Sequence, residues 1–196
     1  MITPDAAPDR VVRIATAAVR GGAEVIQLRH KSLARGQLLE LARKVREVTQ
    51  PSALFIVNDF VDIALLSEAD GVHLGPDDLS LAAARRVAGD RLLIGASAST
   101  PQAARAAVSD GADYLGSGPA FVTPIKTEKQ VIGPEGVAAI AAAAGSVTVF
   151  AIGGIDETTL PHLTALGLRR ACVIRAVADA PDAESATRRL RTMLEV

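Results

Sequence analysis

Residues 53–97 read ALFIVNDFVDIALLSEADGVHLGPDDLSLAAARRVAGDRLLIGAS, and this stretch decides the fold. Three short runs rich in aliphatic and β-branched residues, ALFIVN, GVHL and LLIGAS, alternate with two segments, DFVDIALL and LSLAAARRVA, in which apolar residues recur at helical spacing. The strand-like runs are apolar on both faces, which is typical of parallel strands covered by helices. The stretch therefore predicts a β-α-β-α-β unit of an α/β protein.

The same alternation continues on both sides of this unit. A helix is predicted over residues 8–20, and further strand-like runs, each followed by a helical segment, occupy 25–29, 114–118, 147–154 and 171–174. Together these runs give seven strands after the opening helix, and an eighth would close the sheet. We therefore predict a single TIM (β/α)8 barrel domain over residues 1–196.

The first strand of this barrel is predicted to be truncated. Only Met1, Ile2 and Thr3 precede Pro4, and proline cannot donate a hydrogen bond to a strand ladder. A barrel closed by so short a strand leaves the neighbouring strands partly unpaired. We expect either a weak seam or a seam covered by another subunit, so a homo-oligomer remains one open interpretation.

Composition and charge exclude several classes of partner. The chain has 21 basic and 22 acidic residues mixed along the sequence, for a net charge of −1, and so lacks the basic surface that binds nucleic acids or anionic membranes. No apolar run approaches the about 20 residues that span a bilayer, and residues 1–10 lack the apolar core of a signal peptide. We expect a cytoplasmic protein with no nucleic-acid or membrane partner. Cys172, the single cysteine, excludes an internal disulfide and is expected to be a small buried hydrophobe.

Residues 113–126, DYLGSGPAFVTPIK, contain a predicted phosphate-binding loop. Gly116 and Gly118 allow backbone amides to approach an anion closely, while Thr123 supplies a hydroxyl and Lys126 a positive charge. Glycine-rich loops after strands are common, so this motif gains weight only from the polar residues that end the other strands. Gly153 and Gly154, with the segment after the last strand, occupy a usual phosphate-binding position of TIM barrels and form a second candidate anion site.

Basic residues end the strand-like run at 25–29. Arg29 and Lys31 are two residues apart, so both side chains can point the same way toward an anion; a solvated pair at the start of a helix is the alternative. Ser97 could donate to a phosphate, or could cap a helix or stabilise a turn. His73 lies one residue inside the end of its strand and is expected to be a hydrogen-bonded core histidine rather than a catalyst.

Carboxylates follow two neighbouring strands. Asn58 and Asp59 end one strand, and Asp77 and Asp78 follow the next, so carboxylates from adjacent strand ends could share a cation. Mg²⁺ favours one or two carboxylates completed by waters and substrate phosphates, whereas the chain has no Cys/His spacing suited to zinc. A helix-capping role is the alternative for each aspartate on its own.

Six motifs in order give the chain a specific resemblance to a known family. It resembles the thiamine phosphate synthase family over about residues 10–190, and the motifs that carry the resemblance lie at Gln27–Lys31, Val57–Asp59, Gly71–Asp78, Ile94–Ser97, Ala112–Pro119 and Ala151–Ile155. The resemblance implies that 4-amino-2-methyl-5-hydroxymethylpyrimidine diphosphate and 4-methyl-5-hydroxyethylthiazole phosphate are joined to give thiamine phosphate and pyrophosphate. It implies Mg²⁺ as the cofactor and small phosphorylated molecules as the partners.

The resemblance also implies a role for individual residues. It assigns the metal to Asp59 and Asp78, and catalysis to Arg29, Lys31, Ser97 and Lys126. It assigns the pyrimidine diphosphate to Gln27, Leu28, Arg29, His30, Lys31, Asn58, Ser97 and Lys126. It assigns the thiazole phosphate to Thr123, Pro124, Ile125, Gly153, Gly154, Ile174 and Arg175.

The sequence departs from the family pattern at four places. Ile125 stands where the family usually has a hydroxyl, Ile174-Arg175 where it has Val-Ser, His30 where it has an acidic residue, and Pro76 where it has glutamine. We expect Arg175 to replace the lost phosphate-binding hydroxyls; an outward-facing ion pair with Asp179 or Asp182 is the alternative. Two other functions stay open, namely a thiazole tautomerase-like isomerase that needs no metal and a non-catalytic phosphate-ligand-binding barrel. Asp59 and Asp78 favour the synthase.

Overall fold

A computed structural model of the chain describes residues 1–123 and 130–195, which build a parallel sheet that curls into a barrel. The sheet has seven strands, paired in sequence order: β1 (Val25–Leu28), β2 (Leu54–Asn58), β3 (Gly71–Leu74), β4 (Leu93–Ser97), β5 (Tyr114–Ser117), β6 (Thr148–Ile152) and β7 (Ala171–Cys172). Every neighbouring pair is parallel. The predicted α/β class and the seven strands are confirmed.

Helices alternate with these strands as the sequence pattern predicts. The described residues form α1 (Pro8–Arg20), α2 (Arg35–Thr49), α3 (Val61–Leu66), α4 (Leu81–Ala88), α5 (Pro101–Ser109), α6 (Gly133–Ala144), α7 (Leu160–Thr164), α8 (Arg175–Ala178) and α9 (Ala183–Glu195). Ser80 and Thr100 cap α4 and α5, because their hydroxyls accept from backbone N–H groups at 3.2 and 3.1 Å. The periodicity did not predict α8, which begins where the predicted strand at 171–174 was expected to end.

The segment Met1–Thr3, here called the N-terminal stub, closes the barrel between β1 and β7. Ile2 forms a parallel bridge with Gln27, and its backbone N–H donates to the Val173 carbonyl at 2.9 Å. The Gln27 N–H donates to the Met1 carbonyl at 2.8 Å, and the Thr3 N–H donates to the Gln27 carbonyl at 2.9 Å. The predicted truncated first strand is thus reduced to a single bridge at Ile2, and backbone hydrogen bonds within the chain span the expected seam.

The two faces of the sheet have different environments because side chains alternate along each strand. Outward-facing residues such as Ile26, Phe55, Val72, Ile94 and Leu115 are buried against the helices. The residues between them face the barrel axis, and the register places polar Asn58 beside His73 and Ser97 beside the small Gly116. None of the helices formed by the described residues combines the length and apolar character that crossing a membrane requires.

Candidate active site

The carboxyl ends of the strands surround a cavity of about 700 Å³ that extends along the barrel axis. Most of the residues singled out from the sequence line this cavity, although they come from strands spread along the chain. They are Gln27, Arg29, Lys31, Asn58, Asp59, His73, Pro76, Asp77, Asp78, Ser97, Gly116, Gly118, Thr123, Gly153 and Cys172. The strand ends therefore converge on one site, as the barrel architecture predicts.

The end of β1 supplies the basic side of the cavity. Gln27, Arg29 and Lys31 line it, whereas the residues between them face away from it. Leu28 is buried in the hydrophobic core, and the His30 ring contacts Asp5 and the Ala6 carbonyl. Leu28 and His30, both predicted to bind the pyrimidine diphosphate, therefore do not present their side chains to the cavity, because alternation along an extended segment sends neighbouring side chains to opposite sides.

Two carboxylates occupy the side of the cavity formed by β2 and β3. Asp59 has a φ of 67°, in the left-handed region, and its N–H donates to the His73 carbonyl at 2.8 Å. The Asp78 carboxylate accepts from the Gly75 N–H at 2.7 Å. Burial, followed by the hydrogen bond and the negative charge of Asp78, raises the pKa of Asp59 to about 6, while Lys31 and Arg29 act in the opposite direction. The Lys31 Nζ lies 3.8 Å from the Asp59 carboxylate.

This carboxylate pair fits a magnesium ion. The Asp78 carboxylate is close enough to Asp59 to disfavour the ionisation of Asp59, and a divalent cation held by the pair would remove that repulsion. Within residues 1–123 and 130–195, no group of three or more His, Cys, Asp or Glu side chains could hold a metal. A metal here would therefore take two protein carboxylates and complete its shell with waters or substrate phosphates, which is how Mg²⁺ usually binds.

Three aromatic side chains, His73, Tyr114 and Phe150, are here called the aromatic floor. They line the same cavity as the basic and acidic residues described above. The Tyr114 ring is 5.6 Å from the His73 ring and 5.8 Å from the Phe150 ring, which meets it edge-on at 86°. Gly95 makes room for this arrangement, since a Cβ at that position would overlap the Tyr114 ring. Burial raises the pKa of the Tyr114 phenol and the Gln27 side chain opposes the shift, so the phenol stays neutral. The floor can accept a flat aromatic ring.

His73 was expected to be a hydrogen-bonded core histidine rather than a catalyst. Its Nε2 does lie 3.0 Å from the Ser97 hydroxyl, but its ring lines the cavity, which the sequence interpretation did not predict. Tyr114 and Phe150 were not singled out at all. Strand alternation is the signal that could have found all three, because each lies two residues from another position that lines the cavity, namely Gly75, Gly116 and Ile152.

The segment after β5 lies against the end of β6. Backbone N–H groups of Ala120 and Phe121 donate to the carbonyls of Ile152 and Gly153 at 2.8 and 3.0 Å. Gly153 has a φ of 97°, and a Cβ there would come within 2.6 Å of the Pro119 side chain. Thr123 and Gly153 line the cavity, as predicted. Three other residues predicted for this loop lie outside the described residues; they are Pro124, Ile125 and Lys126.

Val173 and Val177, which follow β7, line the cavity, but the residues predicted there for the thiazole phosphate do not. Ile174 and Arg175 are absent from its lining, and so is Gly154, whose carbonyl accepts from the Thr159 hydroxyl at 3.0 Å. The Arg175 side chain is exposed and its Nε lies 3.1 Å from the Asp179 carboxylate, one turn further along α8. The structure thus contains the alternative ion pair with Asp179, and it does not place Arg175 in the cavity lining.

Comparison with known proteins identifies the family. The family model described as thiamine monophosphate synthase matches residues 1–177. This chain belongs to the thiamine monophosphate synthase family. It is 45% identical over 179 residues to the thiamine-phosphate synthase of Moorella thermoacetica, an alignment that covers 90% of this chain and 85% of that protein. It is also 45% identical over 173 residues to the thiamine-phosphate synthase of Gloeobacter violaceus, where it spans 88% of this chain and 50% of the longer protein.

Solved structures agree with this membership in the thiamine monophosphate synthase family. Thiamine phosphate pyrophosphorylase from Pyrococcus furiosus superposes with a TM-score of 0.89 at 36% identity, covering 99% of this chain and 93% of that one. A 3-hexulose-6-phosphate synthase superposes with a TM-score of 0.79 at 18% identity and shares the fold alone. The thiamine phosphate family resemblance read from the six motifs is confirmed, together with the TIM-barrel-like fold and a transferase role in thiamine phosphate synthesis.

Proposed function

We propose that the chain transfers the aminopyrimidinylmethyl group from 4-amino-2-methyl-5-hydroxymethylpyrimidine diphosphate to 4-methyl-5-hydroxyethylthiazole phosphate, releasing pyrophosphate. Three groups of residues line one cavity, and this observation carries the proposal. They are the basic pair Arg29 and Lys31, here called the basic arm, the carboxylate pair and the aromatic floor. These three parts match a polyanionic leaving group, a cation that neutralises it and a flat heteroaromatic ring. The family of thiamine phosphate synthases supports the same reaction.

The reaction requires no protein nucleophile. The bond between the pyrimidinylmethyl carbon and the diphosphate oxygen breaks, and its electron pair leaves with pyrophosphate. The amino-substituted ring delocalises the positive charge left on that carbon, and the lone pair of the thiazole nitrogen forms the new C–N bond. The protein contributes by neutralising charge on the leaving group and by holding the carbon and nitrogen in line.

Basic and polar side chains are proposed to hold the pyrimidine diphosphate. Arg29 can bind phosphate oxygens with its planar fork, and Lys31 adds a point charge beside Asp59. Asn58 and Ser97 line the same cavity and can donate to the diphosphate. Lys126, from the loop outside the described residues, would add a further positive charge.

Asp59 and Asp78 are proposed to hold Mg²⁺. When bound there, Mg²⁺ would neutralise negative charge that develops on the departing pyrophosphate. The pKa of Asp59, raised to about 6 by burial and by Asp78, is the feature of this site that supports a cation between the two carboxylates. The Lys31 ammonium lies 3.8 Å from the Asp59 carboxylate, so it can contact an anion bound beside that carboxylate.

The aromatic floor and the β6 side are proposed to orient the two rings. The His73, Tyr114 and Phe150 rings offer an apolar surface for the pyrimidine, while His73 fixes the Ser97 hydroxyl toward the cavity. Thr123 and Gly153 lie where a hydroxyl and a backbone amide can bind the thiazole phosphate. Gly154, Ile174 and Arg175 are not part of this proposal, because they do not line the cavity.

A pyrophosphate-release assay with both substrates, with and without Mg²⁺, tests the proposal. We expect release that needs both substrates and stops when EDTA removes the metal. Metal-independent isomerisation of a thiazole phosphate would instead indicate the tautomerase, and substrate binding without any product would indicate a non-catalytic barrel. Either of these results would overturn the proposal.

A further inference from the structure

The N-terminal segment Thr3–Ala6 is hydrogen-bonded to the residues that carry the basic arm of the site. The Thr3 hydroxyl accepts from the Arg29 backbone N–H at 3.0 Å. The Asp5 carboxylate accepts from the Lys31 backbone N–H at 3.3 Å and from the Ser32 hydroxyl at 3.2 Å. Backbone positions on both sides of His30 are therefore held by side chains about 26 residues earlier in the chain.

His30 lies at the centre of these contacts. Its ring is buried, with 6% of the side chain exposed, and it faces away from the cavity. Nε2 lies 2.9 Å from the Ala6 carbonyl oxygen, and Nδ1 lies 3.0 Å from the Asp5 carboxylate. The Ser32 hydroxyl lies 3.4 Å from the same Nδ1, so both ring nitrogens lie within hydrogen-bond distance of oxygen atoms and the ring connects the N-terminal segment to the end of β1.

Regular secondary structure does not hold this part of the chain. β1 ends at Leu28 and α2 begins at Arg35, so Arg29 and Lys31 lie beyond the strand ladder and before the helix. Lys31 is long, and 58% of its side chain is exposed, so its direction depends on its backbone. The contacts with Thr3, Asp5 and Ala6 fix that backbone where the sheet no longer does.

We propose that Asp5 and His30 form a clasp that positions Arg29 and Lys31 against the diphosphate. The two are positioning residues, since neither reaches the cavity. This inference rests on the proposed function, because the anion that Arg29 and Lys31 receive is the diphosphate of that reaction. It also gives a role to His30, which departs from the acidic residue usual in the family.

Asp5→Ala, with Asp9→Ala as its matched control, tests the clasp. Asp9 is an exposed aspartate in the first turn of α1, four residues away, and makes none of the contacts described above. We expect Asp5→Ala to raise the Michaelis constant for the pyrimidine diphosphate about tenfold while that for the thiazole phosphate changes less than about twofold. Asp9→Ala should leave both constants unchanged. The isosteric Asp5→Asn should give an intermediate increase, because an amide oxygen still accepts but carries no charge.

Two further measurements do not depend on turnover. Amide hydrogen exchange at Arg29 and Lys31 should speed up in Asp5→Ala and in His30→Ala, but not in Asp9→Ala. Calorimetric binding of pyrophosphate with Mg²⁺ should weaken about tenfold in the same two variants, and the double variant should be no weaker than either single one.

The possible outcomes separate the clasp from the reaction. An active wild-type enzyme whose Asp5→Asn and Asp5→Ala variants keep wild-type exchange and diphosphate constants would overturn the clasp. Equal increases in both Michaelis constants would also overturn it, because they indicate a general structural defect. If the wild-type chain releases no pyrophosphate, the proposed function fails, yet unchanged exchange and pyrophosphate binding in the variants would still refute the clasp on its own.

Discussion

Asp59 combines an unusual backbone conformation with an unfavourable electrostatic environment. Its φ of 67° is uncommon for a residue other than glycine, and its side chain is only 16% exposed beside Asp78. Burial and the neighbouring carboxylate raise its pKa from 3.8 to about 6, so folding disfavours the ionised form. A strained backbone and a perturbed pKa are typical of functional positions, where they lower the stability of the fold but serve the reaction.

Asp59→Asn is therefore expected to stabilise the metal-free protein and to abolish turnover. A carboxyl whose folded pKa is raised loses stability as the pH rises from about 4 to about 6, and the loss is complete above 6. In EDTA at pH 7 the variant should be more stable than the wild type by about 1–3 kcal/mol, and at pH 4 the difference should vanish. Urea unfolding at the two pH values measures this.

The control for this prediction is Asp110→Asn, at an exposed aspartate that follows α5. The difference in free energy of unfolding between this control variant and the wild type should be the same at pH 4 and pH 7. A stability difference between Asp59→Asn and wild type that is the same at pH 4 and pH 7 would contradict the assigned cause.

At the scale of elements, two aspartates fasten neighbouring strands in the same way. Asp70, just before β3, accepts from the Phe55 N–H of β2 and from Arg46 of α2, both at 2.7 Å. Asp113, just before β5, accepts from the Ile94 N–H of β4 and from Arg85 of α4, both also at 2.7 Å. Each carboxylate thus joins two strands and one helix at the end of the barrel opposite the site.

Asp70→Ala and Asp113→Ala are each expected to destabilise the protein without changing catalysis. Each change leaves a strand N–H and an arginine without their acceptor, which costs about 1–3 kcal/mol. Denaturant unfolding measures the loss, and the turnover number at a permissive temperature should stay at the wild-type value. Asp90→Ala, at an exposed aspartate after α4, is the control and should change stability by less than about 0.5 kcal/mol.

The absence of a side chain at Gly95 of β4 makes room for the Tyr114 ring of the aromatic floor. A Cβ at this position would overlap the Tyr114 ring, which then could not keep its contacts with His73 and Phe150. We expect Gly95→Ala to lower kcat/KM for the pyrimidine diphosphate at least about tenfold, because the ring of the substrate loses its support. Gly36→Ala in α2, where nothing lies within 4 Å of the added methyl, should leave kcat/KM unchanged. An unaltered kcat/KM in Gly95→Ala would show that the floor does not contact the pyrimidine.

For the whole molecule, the N-terminal stub decides whether the sheet closes. Ile2 donates to the Val173 carbonyl on one side and bridges to Gln27 on the other, so a single residue connects β7 with β1. Both of these strands carry cavity-lining residues, among them Gln27 and Cys172. Closure and the shape of the site are therefore coupled.

Ile2→Pro should open this connection. Proline has no N–H, so the Val173 carbonyl loses its donor, which costs about 1–3 kcal/mol. Ile2→Ala is the control, since it removes more side-chain volume than proline but keeps the N–H. We expect urea unfolding to show a larger loss for Ile2→Pro than for Ile2→Ala, with faster amide exchange in β1 and β7. Equal losses would show that packing of the Ile2 side chain, rather than the backbone bond, holds the seam.

Local patterns in the sequence were sufficient for the elements and for one side of the site. Strand and helix periods depend on residues two to four apart, so the seven strands and the Ser80 and Thr100 caps could be predicted from the chain alone. The spacing of Arg29 and Lys31 likewise predicts that both face one way, and both do line the cavity.

Contacts between distant parts of the chain were decided only by the tertiary structure. The pairing of His73 with Ser97, the burial of His30 against Asp5 and the bridge from Ile2 to Val173 each join residues at least 24 positions apart. Arg175 lay within reach of either an anion site or Asp179, and the formation of α8 placed it beside Asp179. Sequence periodicity predicts the direction in which a side chain points from its own helix or strand. The packing of the closed barrel determines which residues that side chain contacts.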